Sequence, residues 1–514
     1  MTRRRWAVAR RGGLALALVV ALGIVVVHGL PRGPAVQTVA LDGQPGAMVV
    51  DQVSGHAFIP TNRVDSVTHI QDPDTRLAML DLRTGALPRT LDIGAMIASA
   101  TVDVRTGRLL VEANDRVIVV DTHSGRVLAT DTLNPPLGAI AVDERRGRAY
   151  VPETNGDTVV RLAVLDTRSG AVLRQVTATT LANAADSLTI GDAVVDEATV
   201  RVFVPFSIFH HGGMESTDSV ATLDSAGNLV HIAVIGRWAA QPGQPVTTPT
   251  LAVDATHGRM LVIDANTGDI AVLDARSGRV AHTVRMGSPS IERPGTYGTP
   301  IFGAWALDAA SGRLFIGTES HSVCTLNSCG DAGQPGGLYV LDTRTGRVVR
   351  RLLAGVALGS ITVDAHERSV IAMSYPSPGA ASFNILDAGT GALLRRIDAT
   401  GAGLPVADRT NGRAYLVDDQ GVATLDARSG RISQRVTPDA SVGAGAAASP
   451  RRGPDDQSTA IVGGRVLVLR DGTTGVPPPD PWSWMPGWLR RRLPWQPPRA
   501  HVAPATATIF DAPK

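Results

Sequence analysis

Residues 140–176 read IAVDERRGRAYVPETNGDTVVRLAVLDTRSGAVLRQV. The stretch contains two short patterns in succession. The first is an apolar-Val-Asp run, a turn with Gly-Arg and a second apolar run; the second is an apolar-Leu-Asp run, Ser-Gly and an alternating run. Apolar residues alternate on both sides of each glycine-containing turn, which predicts a β-hairpin for each pattern. The stretch therefore predicts two hairpins, or one four-stranded antiparallel unit.

The two patterns recur along the chain in strict alternation. The first recurs with its aspartate at Asp51, Asp103, Asp143, Asp196, Asp254, Asp308, Asp364 and Asp408. The second recurs at Asp81, Asp121, Asp166, Asp224, Asp274, Asp342, Asp387 and Asp426. Aspartate at the start of a turn accepts backbone N–H bonds and glycine supplies a positive φ. We therefore interpret these recurrent aspartates as turn formers rather than catalytic or metal-binding carboxylates.

Four-stranded units of about 40–50 residues, repeated several times, are typical of a β-propeller. The repeat gives eight complete units and a weaker ninth that ends near Gly475. We expect an all-β propeller of four-stranded antiparallel blades, eight in number, within a range of seven to nine. Because an open ring exposes strand edges, we expect residues 36–41 (VQTVAL) to complete the last blade. Residues 506–512 (TATIFDA) resemble a third strand of the same blade.

The N-terminus carries five arginines, Arg3, Arg4, Arg5, Arg10 and Arg11, ahead of an uncharged apolar run over residues 12–30. About 19 residues of helix span a bilayer core of about 30 Å. By the positive-inside rule, residues 1–33 are expected to be a cytoplasmic tip and transmembrane signal anchor, with a propeller outside the cell membrane over residues 34–514. A cleaved signal peptide, or a twin-arginine signal, would instead give a secreted protein.

Charge and lysine content exclude several functions. Residues 1–33 hold six arginines and no acidic residue, so the net charge of +2 for the whole chain becomes −4 for the remainder. A body without basic surplus is not expected to bind nucleic acid. The chain has a single lysine, Lys514 at its end. This excludes Schiff-base chemistry and a P-loop within the body of the chain.

The hairpin pairs resemble the YVTN-type repeats of bacterial secreted propellers, the family that includes YncE-like proteins. The resemblance covers most of residues 36–475 and implies a propeller fold. The Leu-Asp-x-Arg-Thr-Gly half is also similar to the repeat of pyrroloquinoline-quinone dehydrogenases, which implies a quinone-dependent redox enzyme. That repeat continues to a docking tryptophan, where this chain has RVAHTV, RVVRRL and ALLRRI. We expect no cofactor.

Loop lengths indicate where function lies. The turns inside each hairpin are short and uniform, whereas the connections between hairpins vary widely in length. In a four-stranded meander the variable connections all emerge on one face of the ring, and elaborated loops on a rigid scaffold are typical binding surfaces. The candidate residues of this face are His210, His211, Trp238 and Tyr297.

Two further features fall on the variable connections. Cys324 and Cys329 are the only cysteines, and in an exported protein a close pair predicts a disulfide. A Pro-, Trp- and Arg-rich insertion occupies residues 476–503. Tryptophan beside arginine favours a membrane or protein interface. The alternative interpretation is that the insertion forms a flap packed over the ring. The candidate contact residues are Trp482, Trp484, Trp488, Arg490, Arg491, Arg492 and Trp495.

Three functions are compatible with these features. The first is a membrane-tethered binding or scaffold module that recognises a protein, peptide or glycan on the variable face and is not an enzyme. The second is a propeller-type hydrolase or lactonase with a metal at the ring axis. The third is a quinoprotein-like redox enzyme. A cluster of carboxylate, amide and imidazole groups at the axis would favour the hydrolase, whereas Ala, Val, Thr and Ser there would favour the binding module.

Overall fold

A computed structural model describes most of the body of the chain. The described residues are 36–64, 71–133, 138–154, 159–180, 186–210, 215–238, 247–286, 296–298, 302–318, 322–325, 328–331, 336–377, 380–399, 404–408, 413–418, 421–426, 431–436, 459–462, 465–470 and 506–511. Within them the chain forms 41 β-strands and no helix.

The strands form nine blades, each a meander whose strands A to D run from the ring axis to the rim. In blades 1 and 4 strand A is split in two. Numbered along the chain, the strands of blades 1 to 3 are β2 (Gln44–Pro45), β3 (Val49–Asp51), β4 (His56–Val64), β5 (Gln71–Asp81) and β6 (Arg89–Asp92); β7 (Ile97–Asp103), β8 (Arg108–Ala113), β9 (Arg116–Asp121) and β10 (Val127–Thr132); and β11 (Ala141–Asp143), β12 (Arg148–Thr154), β13 (Val159–Asp166) and β14 (Val172–Thr180).

Blades 4 to 6 follow the same order. They are β15 (Ser187–Ile190), β16 (Val194–Asp196), β17 (Arg201–His210), β18 (Glu215–Asp224) and β19 (Leu229–Trp238); β20 (Thr250–Asp254), β21 (Arg259–Asp264), β22 (Asp269–Asp274) and β23 (Val280–Arg285); and β25 (Phe302–Asp308), β26 (Arg313–Thr318), β29 (Gly337–Asp342) and β30 (Arg347–Leu352). A separate three-stranded sheet interrupts blade 6 and its entry: β24 (Thr296–Gly298), β27 (Ser322–Thr325) and β28 (Ser328–Asp331).

Blades 7 to 9 complete the ring. They are β31 (Ala357–Asp364), β32 (Ser369–Ser377), β33 (Ala380–Asp387) and β34 (Leu393–Ala399); β35 (Leu404–Asp408), β36 (Arg413–Asp418), β37 (Gly421–Leu425) and β38 (Ile432–Val436); and β39 (Thr459–Val462), β40 (Arg465–Arg470), β41 (Thr506–Asp511) and β1 (Val36–Ala40).

The ring is closed by strand exchange between the two ends of the body. In blade 9 strands A, B and C come from the C-terminal end, and β1 from the N-terminal end pairs antiparallel with β41. The register runs from Val36 opposite Phe510 to Ala40 opposite Thr506. Both predictions are confirmed: residues 36–40 complete the last blade, and residues 506–511 form its third strand.

The predicted number of eight blades is wrong, because the structure has nine. The ninth blade has no continuous second hairpin, since its strands C and D lie at opposite ends of the chain. The Leu-Asp turn that counts a unit in the sequence is therefore missing from it. The predicted N-terminal transmembrane helix is not shown, because residues 1–35 lie outside the described residues. No helix in the described part is long and apolar enough to span a membrane.

The core consists of nine apolar clusters, one at each interface between neighbouring blades. Alternate residues of each strand point to the blade before and the blade after. The closing interface is built like the others: Leu467 and Ile509 of blade 9 pack with Ile59 and Leu80 of blade 1. The interface between blades 9 and 1 is therefore packed in the same way as the other interfaces.

The recurrent aspartates form turns, as predicted. Asp166 accepts backbone N–H bonds from Arg168 at 3.1 Å and Ser169 at 2.8 Å, and Gly170 has a φ of +78°. These bonds from the N–H and hydroxyl of Ser169 hold the pKa of Asp166 below its usual range. The Leu-Asp aspartate is therefore a local turn residue.

The aspartates that end strand A have a second role. Asp103 of blade 2 is fully buried and accepts a 2.6 Å bond from the hydroxyl of Thr167 in blade 3. Asp254 of blade 5 accepts the same bond, at 2.5 Å, from Thr343 in blade 6. Each threonine directly follows the Leu-Asp aspartate of its own blade. We call this contact the inter-blade clasp.

Where alanine replaces that threonine, a hydroxyl of the first blade takes over. The hydroxyl of Thr199 donates a 2.5 Å hydrogen bond to Asp196 in its own turn and is 3.4 Å from the carbonyl of Ala275 in blade 5, to which it also donates. The hydroxyl of Ser311 likewise donates hydrogen bonds to Asp308 at 2.6 Å and to the carbonyl of Ala388 in blade 7 at 3.2 Å. The connection between neighbouring blades is therefore kept when its donor changes.

The first residue of strand B adds a second link on the same face. Arg148 of blade 3 donates to the carbonyl of Ser225 in blade 4 at 2.6 Å. Arg201 of blade 4 reaches the carbonyl of Arg276 in blade 5 at 2.9 Å. Arg465 of blade 9 donates to the carbonyl of Arg83 in blade 1 at 2.8 Å. The closing interface therefore carries the same link as the interior ones.

We predict that Thr167→Val destabilises the ring. The substitution keeps the shape of the side chain but removes the hydroxyl from buried Asp103, and an unsatisfied buried group costs about 1–3 kcal/mol. Urea unfolding of the full-length chain should show this loss. Thr130→Val, on an exposed position of β10, is the control and should change stability by less than about 0.5 kcal/mol. Equal losses in both variants would contradict the clasp.

Candidate functional site

The two faces of the ring differ as the sequence predicted. The A–B and C–D turns carry the clasps and are short and alike, and we call this side the turn face. The B–C and D–A connections emerge on the other side, the loop face. Blade 4 carries a long hairpin on this face, because β17 and β18 each run for ten residues, to His210 and from Glu215.

The strands nearest the axis carry mainly small and aliphatic side chains. The residue before each strand-A aspartate is half-buried and aliphatic in all eight blades that carry one: Val50, Val102, Val142, Val195, Val253, Leu307, Val363 and Ala407. Among the described residues no group of three or more His, Cys, Asp or Glu side chains could hold a metal ion.

A polar cluster lies between blades 4 and 5 at their loop-face ends. Asp218 of β18 accepts bonds from the hydroxyl of Ser207 at 2.5 Å and from Nε1 of Trp238 at 2.9 Å. The side chain of Asp264, at the end of β21, hydrogen-bonds with Asp218 across the interface. We call the cluster the acid site and define it by these residues: Ser207, Ser216, Asp218, Trp238, Asp264, Asn266 and Thr267.

Both carboxyl groups of the acid site are fully buried. Burial raises the pKa of Asp218, although bonds from Ser207 and Asn266 oppose the shift. Burial and the neighbouring charge of Asp218 raise the pKa of Asp264 to about 7. Ionising two carboxyl groups in contact costs free energy because their charges repel. The pair therefore holds a counter-charge or shares a proton.

Local sequence positions each member of the acid site. Asp264 is the first residue of the B–C turn DANTG. Its carboxylate accepts hydrogen bonds from the hydroxyl of Thr267 at 2.7 Å and from the backbone N–H of Asn266 at 2.9 Å. Asn266 then extends its amide to Asp218 at 3.2 Å. Gly236 on β19 faces this turn, and a Cβ there would lie 2.8 Å from Oδ2 of Asp264. A glycine is therefore required for the two blades to approach.

A second polar network lies further out on the tip of blade 4. The Nδ1 atom of His210 is 3.0 Å from Oδ2 of Asp186, and its Nε2 atom is 3.0 Å from the hydroxyl of Thr217. Both ring nitrogens are thus engaged, and the imidazole ties β17 to β18 and to the segment before β15. His210 is fixed in place rather than free to coordinate an ion by itself.

Another buried carboxyl lies on the loop face of blade 2. Glu112 is 1% exposed, and its carboxylate accepts a 2.8 Å bond from the hydroxyl of Ser99. Burial and, to a smaller extent, the charge of Asp192 raise the pKa of Glu112 to about 7 against the opposing bond from Ser99. The loop face therefore contains separate protonatable carboxyls near neutral pH.

The structure brings two of the predicted face residues together and leaves others apart. His210 and Trp238 both lie on the tip of blade 4, and Trp238 is half-buried with its indole N–H on Asp218. Tyr297 lies on β24, opposite Cys324. His211 lies outside the described residues, as do Trp482, Trp484, Trp488, Arg490, Arg491, Arg492 and Trp495.

The predicted disulfide is compatible with the backbone. Cys324 and Cys329 are directly opposite each other in the antiparallel pair of β27 and β28. Opposite residues have Cα atoms about 4.5–5.5 Å apart, within the range that a disulfide spans. The disulfide stays a prediction, and thiol alkylation with and without prior reduction tests it.

The acid site was not predicted from the sequence. Asp218 and Asp264 lie in different blades, and neither belongs to the recurrent turn aspartates. No signal in the repeat marked the pair: the position of Asp264, the sixth residue of strand B, is also acidic in blades 3 and 8, where it is Glu153 and Asp418.

Comparison with known proteins gives structural similarity at low sequence identity only. No family model and no curated protein matches the chain. Solved structures similar to it include a europium-containing methanol dehydrogenase (13% identity, 92% of each chain covered, TM-score 0.48). They also include BamB from Moraxella catarrhalis (17% identity, 81% of this chain and 99% of that chain, TM-score 0.40) and the Dos1 propeller (10% identity, 93% and 95%, TM-score 0.45). Similarity at this level carries no functional argument.

We predict that stability falls as pH rises from about 5 to 8, and that Glu112→Gln reduces this slope. The folded-state pKa of Glu112, about 7, exceeds its ordinary value of 4.5. The native state therefore binds the proton more tightly, and stability is lost as pH rises toward 7, by up to roughly 3 kcal/mol. Thermal unfolding across this pH range measures the slope. Asp398→Asn, at an exposed position, is the control, and an unchanged slope in Glu112→Gln would contradict the assignment.

Proposed function

We propose that this protein is a binding propeller that works outside the cytoplasm and recognises a protein, peptide or glycan on its loop face. The observation that supports it is the division between the faces. Every described inter-blade clasp lies on the turn face, which is consequently uniform. The loop face carries the connections of variable length, the long hairpin of blade 4 and the half-buried Trp238.

The chemistry of the blade 4 tip suits recognition of a polar partner. Trp238 offers part of a rigid indole, with its orientation fixed by the bond to Asp218. Exposed Glu215 and Arg237 flank it with both signs of charge. Aromatic anchors with a polar surround are characteristic of protein interfaces. The aliphatic lining near the axis supports a binding role in preference to axial metal chemistry.

Two finer assignments belong to the same proposal. The repeat supports membership of the YVTN-type, YncE-like propellers. Export is supported by the five arginines that precede the apolar run of residues 12–30. It is also supported by the backbone pairing of Cys324 with Cys329, which suits a disulfide.

Site-specific photo-cross-linking in the native cell tests the binding proposal. A photoreactive amino acid is placed at Glu215, Arg237 or Arg285 on the loop face, and at Arg168 or Arg276 on the turn face as matched controls; all five positions are exposed. We expect discrete adducts from the loop-face positions, with fewer or none from the turn face. Adducts of equal yield from both faces, or none from the loop face, would overturn the proposal.

A further inference from the structure

The charge of the acid site is unbalanced. Asp218 and Asp264 are both fully buried. Their hydrogen-bond donors are hydroxyl, indole, amide and backbone N–H groups, from Ser207, Trp238, Asn266 and Thr267. No arginine or histidine among the described residues forms an ion pair with either carboxylate. Buried carboxylates are paired, protonated or bound to a metal.

A second observation indicates an unused ligand at the same place. The hydroxyl of Ser216 is buried, with 1% of the residue exposed, and has no hydrogen-bond partner among the described residues. Ser216 precedes Asp218 by two positions on β18, so both side chains project from the same face of the strand. That face carries the contact with Asp264. The hydroxyl of Ser216 thus adds a free oxygen to the interface.

From these observations we propose that Asp218 and Asp264 bind a divalent cation that prefers oxygen ligands, Ca²⁺, at the loop-face end of the interface between blades 4 and 5. The inference is independent of the proposed binding function. It places the cation away from the ring axis, among the side chains that join two neighbouring blades.

The donor set fits a hard cation. Ca²⁺ takes six to eight oxygen ligands from carboxylate, amide, hydroxyl and carbonyl groups in flexible arrangements, whereas Zn²⁺ prefers nitrogen and sulfur. The oxygens available are those of the two carboxylates and of three hydroxyls. The amide oxygen of Asn266 accepts from the hydroxyl of Thr247 at 3.2 Å, and the carbonyl of Thr247 accepts the amide N–H of Asn266 at 2.6 Å, so both of these oxygens are already engaged. The three hydroxyls belong to Ser207, Ser216 and Thr267.

The N–H donors to Asp218 serve the same role in this arrangement. Trp238 and Asn266 both donate to one oxygen, Oδ2. Hydrogen bonds to a metal-binding carboxylate orient it and hold it ready for the ion. A bound cation would therefore join the long hairpin of blade 4 to blade 5 and fix the position of Trp238.

The alternative solution for two buried carboxylates is a shared proton. A proton and Ca²⁺ compete for the same oxygens, because cation binding releases the proton. The two solutions differ in one measurable respect: only the cation site responds to calcium at constant pH.

Trp238 provides a direct probe. Its Nε1 atom is 2.9 Å from Asp218, so Tb³⁺ bound in place of Ca²⁺ would lie within energy-transfer distance of the indole. In the full-length chain we expect tryptophan excitation to produce Tb³⁺ emission that saturates and that Ca²⁺ reverses. Trp238→Phe should lose most of this emission, and the wild-type protein should be stabilised thermally by Ca²⁺ at about 1 mM, a concentration at which extracellular calcium modules bind.

Variants separate the cation site from nonspecific binding. Asp264→Asn should weaken Tb³⁺ binding about tenfold or more, and Ser216→Ala should weaken it less while leaving the fold intact. Asp398→Asn, which removes an exposed carboxylate of blade 7, should leave binding unchanged. If Asp264→Asn fails to fold, wild-type melting in Ca²⁺ and in chelator decides the question. A melting temperature that responds to pH and not to Ca²⁺, or emission equal in wild type and Asp264→Asn, would overturn the proposal.

Discussion

The ring depends on a buried carboxylate that reaches across a blade boundary. The aspartate that ends strand A caps its own turn and accepts a hydroxyl from the next blade, as Asp103 does from Thr167. A carboxylate without water must be fully satisfied, so this contact fixes the relative position of two sheets that otherwise meet through nonspecific apolar packing. At the closing interface a different contact serves this purpose: Arg465 of blade 9 donates to the carbonyl of Arg83 in blade 1.

Because these links occupy the turn face, the loop face is free to vary. In these blades the A–B turn presents a carboxylate, and the C–D turn of the next blade presents a hydroxyl or a carbonyl at a fixed position. The B–C and D–A connections carry no such requirement, and blade 4 uses this freedom to lengthen β17 and β18. The acid site forms where that extension meets blade 5. The acid site is therefore a polar contact between blades that lies on the loop face, where recognition is proposed.

The sequence predicted what is periodic and local. Alternation around the Gly turns predicted the hairpins and the four-stranded blades, and residues 36–41 were predicted to close the ring. The blade number was wrong because blade 9 draws its strands from both ends of the chain and lacks the repeated Leu-Asp turn. His210 and Trp238 were assigned to the variable face from the sequence and lie at the ends of β17 and β19, and their role in binding stays a prediction. Asp218 and Asp264 were not identified, since their contact depends on how two blades pack, and no local period reports that distance.

Hydrogen–deuterium exchange of the full-length protein tests the central claim most directly, because it reports the protection of each blade on each face. We predict slow exchange at the A–B turns of every blade, including the interface between blades 9 and 1. On the loop face we predict fast exchange except at the ends of β18 and β21, where the acid site joins blades 4 and 5. Fast exchange at the turn face, or early opening between blades 9 and 1, would contradict the account.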